Sequence, residues 1–112
     1  MVIAEWNGKI IAKSKQVLEI DGYTYFPLSA LKSKYFEESK CRGRCPDKGI
    51  AHYLHLHVNG EVNENAAWFY PDPLEKAWML KGMVSFWKGV KVEKTAGYDN
   101  VYWPKFLKQY FN

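Results

Sequence analysis

The sequence predicts a mainly β domain built from antiparallel hairpins, and three observations carry that expectation. Asn7-Gly8, Asp21-Gly22 and Asn59-Gly60 each lie between apolar or alternating stretches, where the two central residues of a type I′ turn must both take positive φ. A fourth pair, Lys88-Gly89 between MVSFW and VKVEK, is weaker because Lys is poorly suited to positive φ. Helix signals, by contrast, are few and short.

Taken in order, the turns delimit strands over residues 2–6 and 9–13, 16–20 and 23–27, 50–58 and 61–70, and 82–87 and 90–94. Pro27 followed by LSALKSKYF predicts a brief turn of helix over 28–35. LEKAWMLK after Pro73, closing on Gly82, predicts a second over 74–81. Residues 34–49 are polar and bear Gly and Cys, and they read as a loop or irregular strand. Residues 1–95 make one domain. The tail over 96–112, AGYDNVYWPKFLKQYFN, places Phe106, Leu107, Tyr110 and Phe111 at helical spacing and is expected to pack over an exposed edge or patch of that domain.

Length and charge narrow the function classes. A chain of 112 residues can bury one core without disulfides or metals. Aromatic residues reach 17%, more than a core of this size ordinarily uses, so some are candidates to line a binding site. The net charge of +4 attracts anions weakly, but the 16 Lys and Arg are scattered rather than gathered into a run, so nucleic acid is not indicated as a partner. No stretch approaches the ~20 apolar residues of a membrane helix, and MVIAEWNGK does not open like a signal peptide. A cytosolic location and no membrane partner are therefore expected. In that compartment Cys41 and Cys45 should remain thiols.

The hairpin around Asn59-Gly60 carries the candidate site. A two-residue loop puts Val58 opposite Glu61, and counting outwards sets His55 opposite Glu64, Tyr53 opposite Ala66, Ala51 opposite Trp68 and Gly49 opposite Tyr70 on one face. The other face carries Ile50, Leu54, Leu56, Val58, Ala67 and Phe69 and is apolar enough to be the main core side. On the first face the rings of Tyr53, Trp68 and Tyr70 stand across from small residues. That arrangement suits a flat or cationic ligand, and equally suits a second packed surface beneath the segment at 74–81.

The string CPDKGIAHYLHLHVNGEVNENAAWFYPDP, with Trp6-Asn7-Gly8, Tyr25-Phe26-Pro27 and GMVSFWKGVKVE, resembles the signature of the domain of unknown function 427 family over about residues 4 to 94. The resemblance implies a β-tent-like fold, in which antiparallel sheets lean together over a cleft. It implies no agreed activity, although the family sometimes carries a nucleotidyltransferase label. The family motif falls on Cys45, Pro46, Lys48, Gly49 and Tyr53, then on Ala67, Trp68, Tyr70, Pro71 and Pro73. Asp47 departs from it, since that position is usually aromatic. Cys41, Arg42 and Arg44 make the mouth of this version more basic and thiol-rich. The paired CxxC knuckles with which other β-tent proteins hold zinc are missing here.

Two function classes follow. One is a binding module that holds a small molecule or a peptide segment on Tyr53, Trp68 and Tyr70, with Cys45 beside them and Lys48 and Arg44 as polar anchors at the rim. The other is an enzyme with Cys45 as thiolate nucleophile, its pKa lowered by Arg44 and Lys48, and Lys48 as electrophilic partner. A base for Cys45 would have to come from His52, His55 or His57, of which only His55 and His57 share a face. No metal is expected, because Cys41, Cys45, His55 and His57 do not match zinc-knuckle spacing. Nor is a cofactor expected: Lys48-Gly49 lacks the rest of a phosphate-binding loop, and Glu61, Glu64, Asp72 and Glu75 make no magnesium-holding constellation.

Overall fold

The computed structural model describes residues 1–95 and is mainly β, with every paired strand antiparallel. The expectation that 96–112 packs on the domain lies outside the described residues. Among those residues the strands are β1 (Val2–Trp6), β2 (Lys9–Ser14), β3 (Leu18–Ile20), β4 (Tyr23–Pro27), β5 (Phe36–Cys45), β6 (Gly49–Val58), β7 (Glu61–Phe69), β8 (Met83–Phe86) and β9 (Lys91–Lys94). They form a three-stranded sheet in the order β2-β1-β9 and a six-stranded sheet in the order β3-β4-β8-β7-β6-β5.

Asn7-Gly8, Asp21-Gly22 and Asn59-Gly60 all have positive φ at both residues and all join adjacent antiparallel strands, as expected. Lys88-Gly89 takes the same φ signs but closes no hairpin. β8 pairs with β4 and β7, whereas β9 crosses to pair with β1, so this turn carries the chain between sheets. Its strain is offset by contacts of the Lys88 side chain, whose Nζ donates to the Glu64 carbonyl at 3.1 Å and lies 5.3 Å from the centre of the Trp87 ring.

Of the two readings of 34–49, loop or irregular strand, the second holds: a ten-residue strand, β5, runs along the edge of the large sheet with a bulge between Glu38 and Arg42. FEESKCRGRC has no apolar alternation because most of this edge faces water and polar side chains suit it. The expected helices are 3-10 turns, at Leu28–Ala30, Ser33–Tyr35 and Glu75–Leu80. The first two are separated by extended backbone at Leu31 and Lys32, and the third is kinked at Ala77 (φ −117°, ψ 20°), so none propagates into an α-helix.

The main core lies between the sheets. Val2, Ala4, Ile11 and Ala12 of the small sheet meet Phe26, Leu54, Leu56, Val58, Ala67, Val84 and Phe86 of the large one. A second apolar cluster, Tyr25, Ala51, Trp68, Tyr70, Ala77 and Leu80, lies apart from it and joins the large sheet to the 75–80 turn. The large sheet therefore buries apolar side chains in two separate clusters, and the second contains the candidate site.

Candidate functional site

Side-chain alternation builds the site. Going across the large sheet, β4 contributes Tyr23 and Tyr25, β8 contributes Ser85, β7 Trp68, β6 Ala51 and Tyr53, and β5 Gly43 and Cys45. Trp68 pairs with Ser85 on one side and Tyr53 on the other, and Gly43 pairs with Ala51. Small residues thus alternate with rings. The Ser85 hydroxyl is buried and donates to the Thr24 carbonyl at 2.8 Å, so it fills little of the space between Tyr25 and Trp68.

The result is a cavity of about 220 Å³, with room for roughly seven waters at liquid density, lined by Asp21, Tyr23, Tyr25, Cys45, Lys48, Ala51, Tyr53, Trp68, Tyr70 and Trp87. Trp68 is its hub. The indole meets Tyr23 edge-on at 5.0 Å between ring centres, Trp87 at 5.6 Å and Tyr25 at 6.3 Å. Tyr53 and Trp87 lie nearly parallel, with centres 6.3 Å apart. Trp87 is half exposed and held in place by its Nε1–H, which donates to the Asn65 carbonyl at 2.5 Å.

The expected register needs correction. Val58 does face Glu61, and His57 and Leu56 face Val62 and Asn63, but beyond that a bulge intervenes and Leu54 faces Ala67. Tyr53 accordingly stands opposite Trp68 rather than Ala66, and His52 opposite Phe69. Asn65 makes the bulge by adopting φ 55°, with its side-chain oxygen accepting from the buried Ser39 hydroxyl at 2.6 Å. Because the shift amounts to two residues, the alternation of faces survives and Tyr53, Trp68 and Tyr70 still share one side. His55 is drawn into the bulge, where its Nδ1 accepts from the Asn65 backbone N–H at 3.0 Å, instead of facing Glu64.

Of the residues singled out in the sequence, Cys45, Lys48, Tyr53, Trp68 and Tyr70 line this one cavity. Arg44 does not. It borders a neighbouring hollow, with Pro46, Gly49, Ile50, Asp72 and Leu74, that Cys45 also lines. Asp21, Tyr23, Tyr25 and Trp87 complete the lining and were not anticipated. Tyr23 and Tyr25 follow the Asp21-Gly22 turn at strand spacing, a signal of a shared face, but nothing local says that β4 reaches β7 through β8.

Lys48 sits in the three-residue turn between β5 and β6, whose backbone N–H donates to the Cys45 carbonyl at 3.2 Å. Its ammonium bonds the Asp21 carboxylate at 2.6 Å; the Lys48 side chain is 14% exposed and that of Asp21 69%. This hydrogen bond, helped by the charge attraction, holds the lysine above its ordinary range against the opposing effect of burial. Burial also raises the phenols of Tyr25 and Tyr70, with a hydrogen bond to Trp68 working in the opposite direction for both.

None of the histidines lines the cavity. His57 bonds Glu37 at 2.7 Å, His55 serves the bulge, and His52 leans on Phe69. Cys41 is exposed on the edge strand while Cys45 is partly buried, and both are free thiols. Among the described residues no three His, Cys, Asp or Glu side chains are placed to hold a metal ion. No helix among them is long and apolar enough to cross a membrane. Among the described residues Asp21 is the only carboxylate in the lining, so they bring no paired acids to this cavity of the kind that carry magnesium in nucleotidyl transfer.

A family model described as Domain of unknown function (DUF427), with a nucleotidyl-transfer short name, matches residues 1–97. No curated protein matches the chain.

Proposed function

We propose, for a chain that belongs to the family described as Domain of unknown function (DUF427), that it works as a binding module holding a small planar ligand in the aromatic cavity of the large sheet. One observation carries this reading: residues from four strands, a hairpin turn and the β5–β6 turn converge on a single open cavity, with six aromatic rings and one ion pair in its lining. Cavities that are mostly apolar with a few convergent polar groups are the usual form of ligand sites. Two unpaired thiols suit a reducing, cytosolic place of work. The test is a fragment screen read by amide chemical shifts. Hits should perturb Tyr23, Cys45, Lys48, Tyr53, Trp68 and Trp87 together, and hits that cluster elsewhere would refute the reading.

A second reading, an enzyme using Cys45 as nucleophile with Lys48 as electrophilic partner, draws on the presence of both residues in one cavity. Binding is the better supported of the two, because among the described residues the lining offers no imidazole and its one carboxylate is already engaged by Lys48. Alkylation by iodoacetamide at neutral pH separates them. The module requires Cys45 to react more slowly than the exposed Cys41, whereas Cys45 outpacing Cys41 would favour the enzyme.

A further inference from the structure

The polar atoms around the cavity are unequal in kind. Among the described residues Lys48 brings an ammonium, Tyr23, Tyr25, Tyr53 and Tyr70 bring hydroxyls and Cys45 a thiol, while a single carboxylate, that of Asp21, stands at the edge. An ammonium donates three hydrogen bonds and accepts none, and a protonated phenol can always donate. The lining is thus rich in donors.

The two charged partners are also unequally placed. Lys48 is largely buried, whereas Asp21 is a turn residue reaching in from solvent. Lys48 has spare donors beyond the one it gives Asp21. Asp21, being exposed, can return to water at little cost, while Lys48 left alone would be a poorly solvated charge. A ligand's own carboxylate would therefore compete with Asp21 for the Lys48 donors.

We propose that the ligand is a small planar carboxylic acid, whose flat body lies among Trp68, Tyr53 and Trp87 and whose carboxylate takes Lys48 from Asp21. This deepens the binding-module reading and rests on it. An organic cation is disfavoured, because its charge would have to enter beside the Lys48 ammonium. The volume of about 220 Å³ suits a single-ring acid, whereas a nucleoside triphosphate would extend well beyond it.

The experiment compares benzoate, benzamide and benzyltrimethylammonium at pH 7, titrated calorimetrically into the full chain and two variants. Benzoate should bind about tenfold or more tightly than benzamide, the scale of one charge-assisted hydrogen bond. Lys48→Gln should erase that preference, so that benzoate and benzamide bind alike. Asp21→Asn, which retains a residue favoured in type I′ turns, should tighten benzoate severalfold by removing the competing carboxylate. N-acetyl-phenylalanine serves as a further arm, and its binding better than benzoate would assign the site to a peptide carboxylate and overturn a free acid. If benzamide binds as well as benzoate, if benzyltrimethylammonium binds best, or if Asp21→Asn weakens benzoate, the acid proposal fails and the cavity remains a binding site. If no probe binds, both the acid and the binding module fall.

Discussion

A Cβ placed on Gly43 would lie 2.5 Å from the hydroxyl of Tyr53, so the edge strand has a glycine where the Tyr53 side chain passes over it. This close approach joins β5, which carries five charged residues among its ten, to the aromatic face. Gly43→Ala is expected to cost about 1–3 kcal/mol, as overpacking does. In a Tyr53→Phe background, where the hydroxyl is gone, the same change should cost distinctly less. A double-mutant cycle by urea denaturation measures the coupling, and additive effects would show that the two side chains do not meet.

Trp68 and Trp87 face the same cavity but differ in burial, at 7% and 41% exposed. Trp68→Ala should destabilise the fold by about 3–5 kcal/mol, since its indole supports Tyr23, Tyr25 and Trp87 at once. Trp87→Ala removes the cavity's outer wall and should cost far less stability, yet weaken any ligand held there by about 2 kcal/mol. Denaturation and titration of both variants check the contrast. Equal losses of stability would mean that Trp87 is core and not wall.

Asn65 holds positive φ in the middle of β7 while satisfying Ser39 through its side chain and His55 and Trp87 through its backbone. Asn65→Val forces a β-branched residue into this region and should cost about 1–3 kcal/mol of strain, besides the lost Ser39 bond. Asn65→Gly tolerates the φ and should be the milder of the two. Thermal denaturation ranks them, and the reverse order would mean that the bulge geometry is not what the side chain serves.

Three groups in the cavity titrate late. Lys48 is raised chiefly by its hydrogen bond to Asp21, and Tyr25 and Tyr70 are raised by burial. In each case the folded protein keeps its proton to higher pH than the unfolded chain. Their stabilisation is complete below the ordinary values of 10.0 for tyrosine and 10.5 for lysine, and is lost as pH climbs through the folded ones. The urea midpoint should therefore fall between pH 9 and about 11.5. Absorbance of tyrosinate should show a late-titrating fraction that joins the rest on unfolding. A midpoint that rises over this range would overturn the assignment.

Much of the architecture was legible in the chain because its signals are local. A type I′ turn needs two residues at positive φ, and Asn-Gly and Asp-Gly announce that need wherever they occur. Strand alternation then assigns faces, which is why Tyr53, Trp68 and Tyr70 could be placed on one side from sequence, and why a two-residue bulge did not undo the assignment. Cys45 and Lys48 were singled out by the family resemblance rather than by a local signal, and the short turn between β5 and β6 is what brings both to the cavity.

What the chain could not announce is non-local. Whether Lys88-Gly89 closes a hairpin depends on which sheet offers β9 a free edge, and that edge belongs to β1, far away in sequence. Asp21, Tyr23 and Tyr25 join Trp68 only because β8 lies between β4 and β7, an order set by the packing of the large sheet's core face on the small sheet. Arg44 and Cys45 are adjacent on an edge strand and share one hollow, yet only Cys45 also reaches the aromatic cavity, which the way β5 lies beside β6 decides. By itself, then, the sequence determined the hairpins and the faces of their residues, because backbone chirality and side-chain period act over a few bonds. Only the tertiary structure decided which faces meet, because burial of apolar area selects strand order through contacts between residues tens of positions apart.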